Sequence, residues 1–135
     1  MNKTLRSDFP LASSLDILGD RWAMLIVSGM SLGGKSQVGD FATEEGVATN
    51  ILADRLATLV ERGIIERVPD EADRRKYHYR VLRPGVELLP VIAELVVWGV
   101  KNTDIPPSAE FESMLNSDTR AAFVGERTKQ LLAQI

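Results

Sequence analysis

Leu11, Leu15 and Leu18 recur at spacings of four and three, which places them on one side of a helix that Gly19 interrupts. Asp20 can cap the next helix, whose Trp22, Leu25, Ile26 and Met30 keep the same period until Gly33 and Gly34 stop it. Ser36 is the N-cap of a third, short helix predicted over 36–44, with Val38 and Phe41 inward and Gly46 closing the connection. A fourth helix is predicted over 49–62. Leu52, Leu56, Leu59 and Val60 form its apolar face, and Gly63 supplies the left-handed stop. Ile64 and Ile65 lead into a strand, residues 69–73 read as a turn, and the alternation from Tyr77 to Leu82 predicts a second strand. After Pro84 and Gly85 a long helix is predicted to run to about Asn102, carrying Leu88, Leu89, Ile92, Leu95, Val96 and Trp98. Beyond Pro106 and Pro107, residues 108–135 read as one or two amphipathic helices with Phe111, Met114, Leu115, Phe123, Leu131 and Leu132.

A chain of 135 residues, 44% apolar and 26% charged, has the size and balance of one globular domain, so residues 1–135 are expected to form a single unit. There is no cysteine, which excludes disulfides, zinc-thiolate sites, thiol nucleophiles and thiol redox sensing together. No stretch has the apolar run of a signal peptide or a membrane span, and a cytoplasmic location without membrane contact is the expectation. The net charge of −3 opposes binding to a polyanion. Its distribution reverses that inference: from Arg74 to Arg83 there are Arg74, Arg75, Lys76, Arg80 and Arg83, the sole histidine His78, and no acid.

Helices followed by a two-stranded hairpin give a mainly α (α+β) fold, in the order of a winged helix-turn-helix with flanking dimerisation helices. On the fourth helix Asn50 and Asp54 lie nearly opposite the leucines, while Ala53, Ala57 and Thr58 hold the margins, where small side chains let a helix approach a groove floor. Asn50 has the geometry to pair with an adenine edge, Asp54 to accept from cytosine N4 or orient Arg55, and Arg55 to reach guanine or phosphate. Lys35, Ser36 and Gln37, at the start of the third helix, complete that candidate face. At the hairpin tip Arg74, Arg75 and Lys76 have the reach for phosphates or an adjacent minor groove. The bland alternatives are a solvated helix face and a solvated charged loop.

The segments LDILGDRWAMLIV, ATNILADRLATLVERGIIER, DEADRRKYHYRVLRPG and ELLPVIAELVVWG resemble, in order and spacing, the HxlR-type winged-helix regulators, relatives of the MarR group, over about residues 9–102. The resemblance implies a dimeric DNA-binding repressor or activator, with Thr49, Asn50, Asp54 and Arg55 at the groove and Arg74, Arg75 and Lys76 on the wing. Phe9 stands where many members carry cysteine, Ala48 where a capping serine is frequent, and Leu82 where threonine usually opens the long helix. Thiol sensing, known in part of that family, has no residue to act through at Phe9.

The long helix is apolar on more sides than a small core can cover, which predicts a homodimer built from Leu11, Leu15, Leu89, Ile92, Leu95, Val96 and Trp98 together with the C-terminal extension over 108–135, with double-stranded DNA bound at a palindromic operator. A small-molecule effector is expected only by analogy with related families. A catalytic role is disfavoured: the one histidine lies in the basic hairpin, and the acids Glu44 and Glu45 fit a solvated helix end, so no catalytic residue, metal or cofactor is assigned. The remaining alternative is a winged-helix interaction module that does not bind DNA, motivated by the acidic total charge.

Overall fold

The computed structural model describes residues 8–32 and 49–135, and of Thr49 the backbone alone. The helix expected over 36–44, with Lys35, Ser36 and Gln37 at its start, lies outside the described residues. The chain divides into two compact units, Met1–Val81 and Leu82–Ile135.

In the first unit, helix α1 is Pro10–Leu18, with its proline in the first turn, where the missing N–H has no helical partner to lose. It buries no residue, so Leu11 and Leu15 remain exposed. Helix α2, Arg21–Leu32, is capped as its sequence predicts: Asp20 Oδ1 accepts from the N–H groups of Trp22 at 2.8 Å and Ala23 at 2.9 Å. Its buried stripe is Ala23, Ile26, Val27 and Met30, one position round from the expected one, and Trp22 and Leu25 are half-buried at its margins.

Helix α3, Thr49–Glu61, buries Leu52, Leu56 and Leu59. Val60, expected on that face, is exposed. It sits 100° beyond Leu59, past the edge of the stripe. The helix ends in a Schellman motif: Gly63, at φ 74°, donates to Val60 O, and Ile64 N–H donates to Leu59 O, both at 3.0 Å. The chain thereby turns straight into strand β1, Ile65–Pro69, which pairs antiparallel with β2, Tyr77–Val81, in the register Ile65 with Val81 through Pro69 with Tyr77. Ile65 and Val81 are buried at the base of the hairpin, so its inner end is anchored in apolar contact while its tip is exposed. Because Leu52 is fully buried, Leu52→Ala is expected to cost about 2–5 kcal/mol in denaturant unfolding, through lost burial and a residual cavity.

In the second unit the expected long helix is divided. A single helical turn, α4 (Arg83–Val86), precedes α5 (Leu89–Asn102). Pro90 has no N–H to offer the Val86 carbonyl, so a continuous helix would lack a bond at that point. Helix α5 buries Leu89, Ile92, Ala93 and Val97 and leaves Val91, Leu95 and Trp98 exposed, the last at 62%. The extension folds as α6 (Ala109–Ser113) and α7 (Ser117–Leu132), capped by Ser108 Oγ and Asn116 Oδ1. Arg120 fastens it: Nε lies 2.9 Å from Glu94 Oε1 on α5, and Nη1 donates to Met114 O at 2.8 Å. Met114 and Leu131 are buried. No described helix is long and apolar enough to cross a membrane.

Candidate nucleic-acid interface

With the leucines of α3 turned inward, Asn50, Ala53, Asp54 and Ala57 form its exposed face. The expected reading stripe is therefore a solvent-facing strip of one amide, one carboxylate and two methyl groups. Glu61, in the last turn, is exposed on the same side of the helix, and Ile51 and Val60 are exposed at its flanks. Thr58 is turned back on the helix, its Oγ1 donating to Asp54 O at 3.1 Å.

Arg55 differs from the sequence expectation of a side chain extended toward a groove. Its Nε lies 3.2 Å from Asp20 Oδ2, an ion-pair contact too bent for a linear hydrogen bond, and Nη1 donates to Asp54 Oδ2 at 2.5 Å. The expected orientation of Arg55 by Asp54 is present, and Asp20 is a second partner that helical spacing could not reveal, because it sits on another helix.

The hairpin tip is built by two aspartates. Asp70 Oδ1 accepts from the N–H groups of Ala72 and Asp73, Asp70 N–H donates to Lys76 O at 3.0 Å, and Lys76 N–H donates to Asp73 O at 2.9 Å. Asp73 Oδ1 also accepts from Arg75, from the guanidinium Nε at 3.2 Å and the backbone N–H at 3.1 Å. These bonds, the side-chain one first, hold the Asp73 carboxyl below the usual carboxylate range. On the far face of the sheet Glu66 stands opposite Arg80, which reaches it through Nη2 at 2.7 Å and Nε at 3.0 Å. Two of the five cations are thus neutralised locally, which leaves Arg74 and Lys76 at the tip with no described carboxylate on their side chains. The pairing of Glu66 with Arg80 was findable from hairpin register, and that of Asp73 with Arg75 from their spacing in a tight turn.

Along the flank of α3 that adjoins the sheet, Ala53, Leu56, Ala57, Val60, Glu61, Arg67 and Tyr79 line an open cavity of about 430 Å³. Arg67 is stacked over the Tyr77 ring at 4.2 Å. No group of His, Asp and Glu side chains among the described residues has the arrangement of a metal site. Of the expected self-association residues, Leu11, Leu15, Leu95 and Trp98 are exposed and Val96 is half-buried, whereas Leu89 and Ile92 point into the chain's own core.

An exposed small-residue helix joined by a tight Schellman turn to a two-stranded, cation-tipped hairpin defines a winged helix-turn-helix protein. The chain belongs to the HxlR-like helix-turn-helix family, which it matches over residues 17–106. The HTH-type transcriptional regulator Rv3095 of Mycobacterium tuberculosis H37Rv is 34% identical over 86 residues, 64% of this chain and 54% of the relative, so the match spans about half the length of that protein. The HTH-type regulator BH0655 of Halalkalibacterium halodurans is 27% identical over 70% of this chain and 85% of its own. Among solved structures, PA1607, provisionally assigned as a transcription factor, superposes with a TM-score of 0.69 at 36% identity, covering 77% of this chain and 72% of its own. The oxidised form of the redox regulator HypR shares the fold alone, with a TM-score of 0.63 at 23% identity over 71% of this chain and 99% of that one. The family and these relatives are transcriptional regulators, not enzymes.

Proposed function

We propose that the protein is a sequence-specific double-stranded DNA-binding regulator that acts as a homodimer on a palindromic operator and represses by occupying it. The observation that carries this reading is the pairing, within one compact unit, of the exposed Asn50, Ala53, Asp54 and Ala57 strip with Arg74 and Lys76 at the hairpin tip, which have no carboxylate partner among the described residues. The strip offers an amide and a carboxylate to base edges, and the tip offers point charges to phosphates. Thr49 and the Lys35, Ser36 and Gln37 segment belong to the same proposed face on sequence grounds. The exposed Leu95 and Trp98 on α5, with Leu89 and Ile92 behind them, are the proposed self-association surface of the second unit, and the exposed Leu11 and Leu15 on α1 are a separate proposed contact of the first. Two-fold pairing presents two copies of α3 to half-sites about one DNA turn apart. The cavity beside Ala53 and Tyr79 is where a small effector would act, since anything lodged there changes the spacing of helix and wing.

The test is a salt titration on two duplexes, one selected from a random-sequence pool and one arbitrary. Binding to both, stronger on the first and weakening as salt rises, is the expected result. Failure to bind either at low salt favours the interaction-module alternative. On the selected duplex Asn50→Ala is expected to cost about 1–3 kcal/mol while leaving arbitrary duplex nearly unaffected. An equal loss on both would assign Asn50 to the phosphate backbone.

A further inference from the structure

We propose that Asp20 is a positioning residue for the reading helix and that Arg55 is the tie it holds, so that base discrimination falls to Asn50 and Asp54 and not to Arg55. This rests on the DNA-binding reading above and concerns which residues of that face touch bases. The two oxygens of Asp20 have separate tasks. Oδ1 is pinned by the Trp22 and Ala23 N–H groups at 2.8 and 2.9 Å, while Oδ2 lies 3.2 Å from Arg55 Nε. A carboxylate fixed by two backbone donors has little rotation left. The place of Oδ2 is therefore set by the first turn of α2, and Arg55 carries that constraint across to the first half of α3.

The surroundings of Arg55 point the same way. Its Nε is shielded from solvent, its side chain is one-third exposed at 33%, and Asp54 Oδ2 takes Nη1. One guanidinium between two carboxylates has a summed formal charge of −1, so it adds no attraction for phosphate. For Arg55 to read guanine it must leave both acids, which would then face the approaching backbone unpaired. Held in place, it leaves Asp54 Oδ1 as an acceptor suited to cytosine N4.

The substitution that separates the tasks is Asp20→Asn, because an amide oxygen still caps α2 while the negative charge that faces Arg55 is lost. Asp20→Ala removes both. Full-length Asp20→Asn, Arg55→Ala and the double variant are titrated against the pool-selected duplex, its single-base variants and arbitrary duplex at several salt concentrations. Each single substitution is expected to lower affinity for the selected duplex and all its variants by the same factor, about five- to tenfold, with the double no worse than Arg55→Ala. Affinity for arbitrary duplex and the salt slope stay unchanged, which separates a misplaced helix from a merely unfolded fraction, since unfolding lowers both affinities together. Lost discrimination at one base pair in Arg55→Ala would make it a reader, a shallower slope would make it a phosphate contact, and additive losses would uncouple it from Asp20; each overturns the proposal. The same cycle in denaturant unfolding needs no DNA. If the wild-type chain binds no duplex, the DNA reading fails, and the tie is judged there, with non-additive destabilisation supporting it and additive destabilisation refuting it.

Discussion

Arg74→Glu combined with Lys76→Glu is expected to weaken binding to selected and arbitrary duplex alike, by about a hundredfold at low salt, and to shallow the salt dependence by about one unit for each phosphate contact removed. The basis is the state of the wing charges: Arg75 and Arg80 already have carboxylates, Asp73 and Glu66, whereas Arg74 and Lys76 have none among the described residues. A cation that meets phosphate without first leaving an internal partner contributes its full counterion-release term. Arg75→Glu alone is therefore expected to act mainly by placing a second acid beside Asp73 and loosening the tip, with a smaller effect on affinity. Fluorescence anisotropy over a salt series reads both quantities. Equal losses from Arg75→Glu and from Arg74→Glu would show that the pairing with Asp73 does not hold in solution.

Leu95→Glu with Trp98→Glu is expected to turn a dimer into a folded monomer at micromolar concentration, and to lower affinity for a two-half-site duplex by about a hundredfold as the second half-site is lost. Both residues are exposed on α5, on the side away from buried Leu89, Ile92, Ala93 and Val97, so charges there leave the chain's own core intact. Val91 extends the strip by one turn, and Leu11 and Leu15 add a second exposed apolar surface on α1. Light scattering and sedimentation give the mass, and circular dichroism the fold. A wild-type chain that is monomeric yet binds both half-sites at full strength would refute this surface as the dimer contact. Leu89→Ala and Ile92→Ala are the internal contrast, since truncation there should lower folding stability before it alters mass.

The elements were legible in the sequence where local chemistry sets them. Asp20 as a cap, Gly63 as a left-handed stop and the hairpin over 65–81 follow from short-range rules, and the structure shows each. The misses have tertiary causes. Val60 and Trp22 sit at the margins of apolar stripes, where periodicity does not decide which neighbour is covered. Pro90 was read as part of a continuous helix, although its missing N–H divides that segment. The charge inventory from 74 to 83 found no acid because Asp73 lies one residue before it and Glu66 on the facing strand, and that accounting left Arg75 and Arg80 nominally unpaired. The resemblance implies Arg55 at the groove, and neither it nor helical spacing carries information about the ion pair of Arg55 with an aspartate at the start of another helix.

The position of Arg74 and Lys76, without a carboxylate partner among the described residues, on a chain of net charge −3 also bears on how an encounter with DNA begins. The hairpin over 66–80, with five cations against Glu66, Asp70, Glu71 and Asp73, sums to +1 on a chain of −3, so far from the duplex the field repels the rest of the chain and favours the hairpin's approach first. Collisions on other faces are discouraged by the same charge. Association should then be selective in orientation rather than fast, with on-rates that fall only modestly as salt rises, because screening relieves the repulsion of the body as it weakens the pull on the tip.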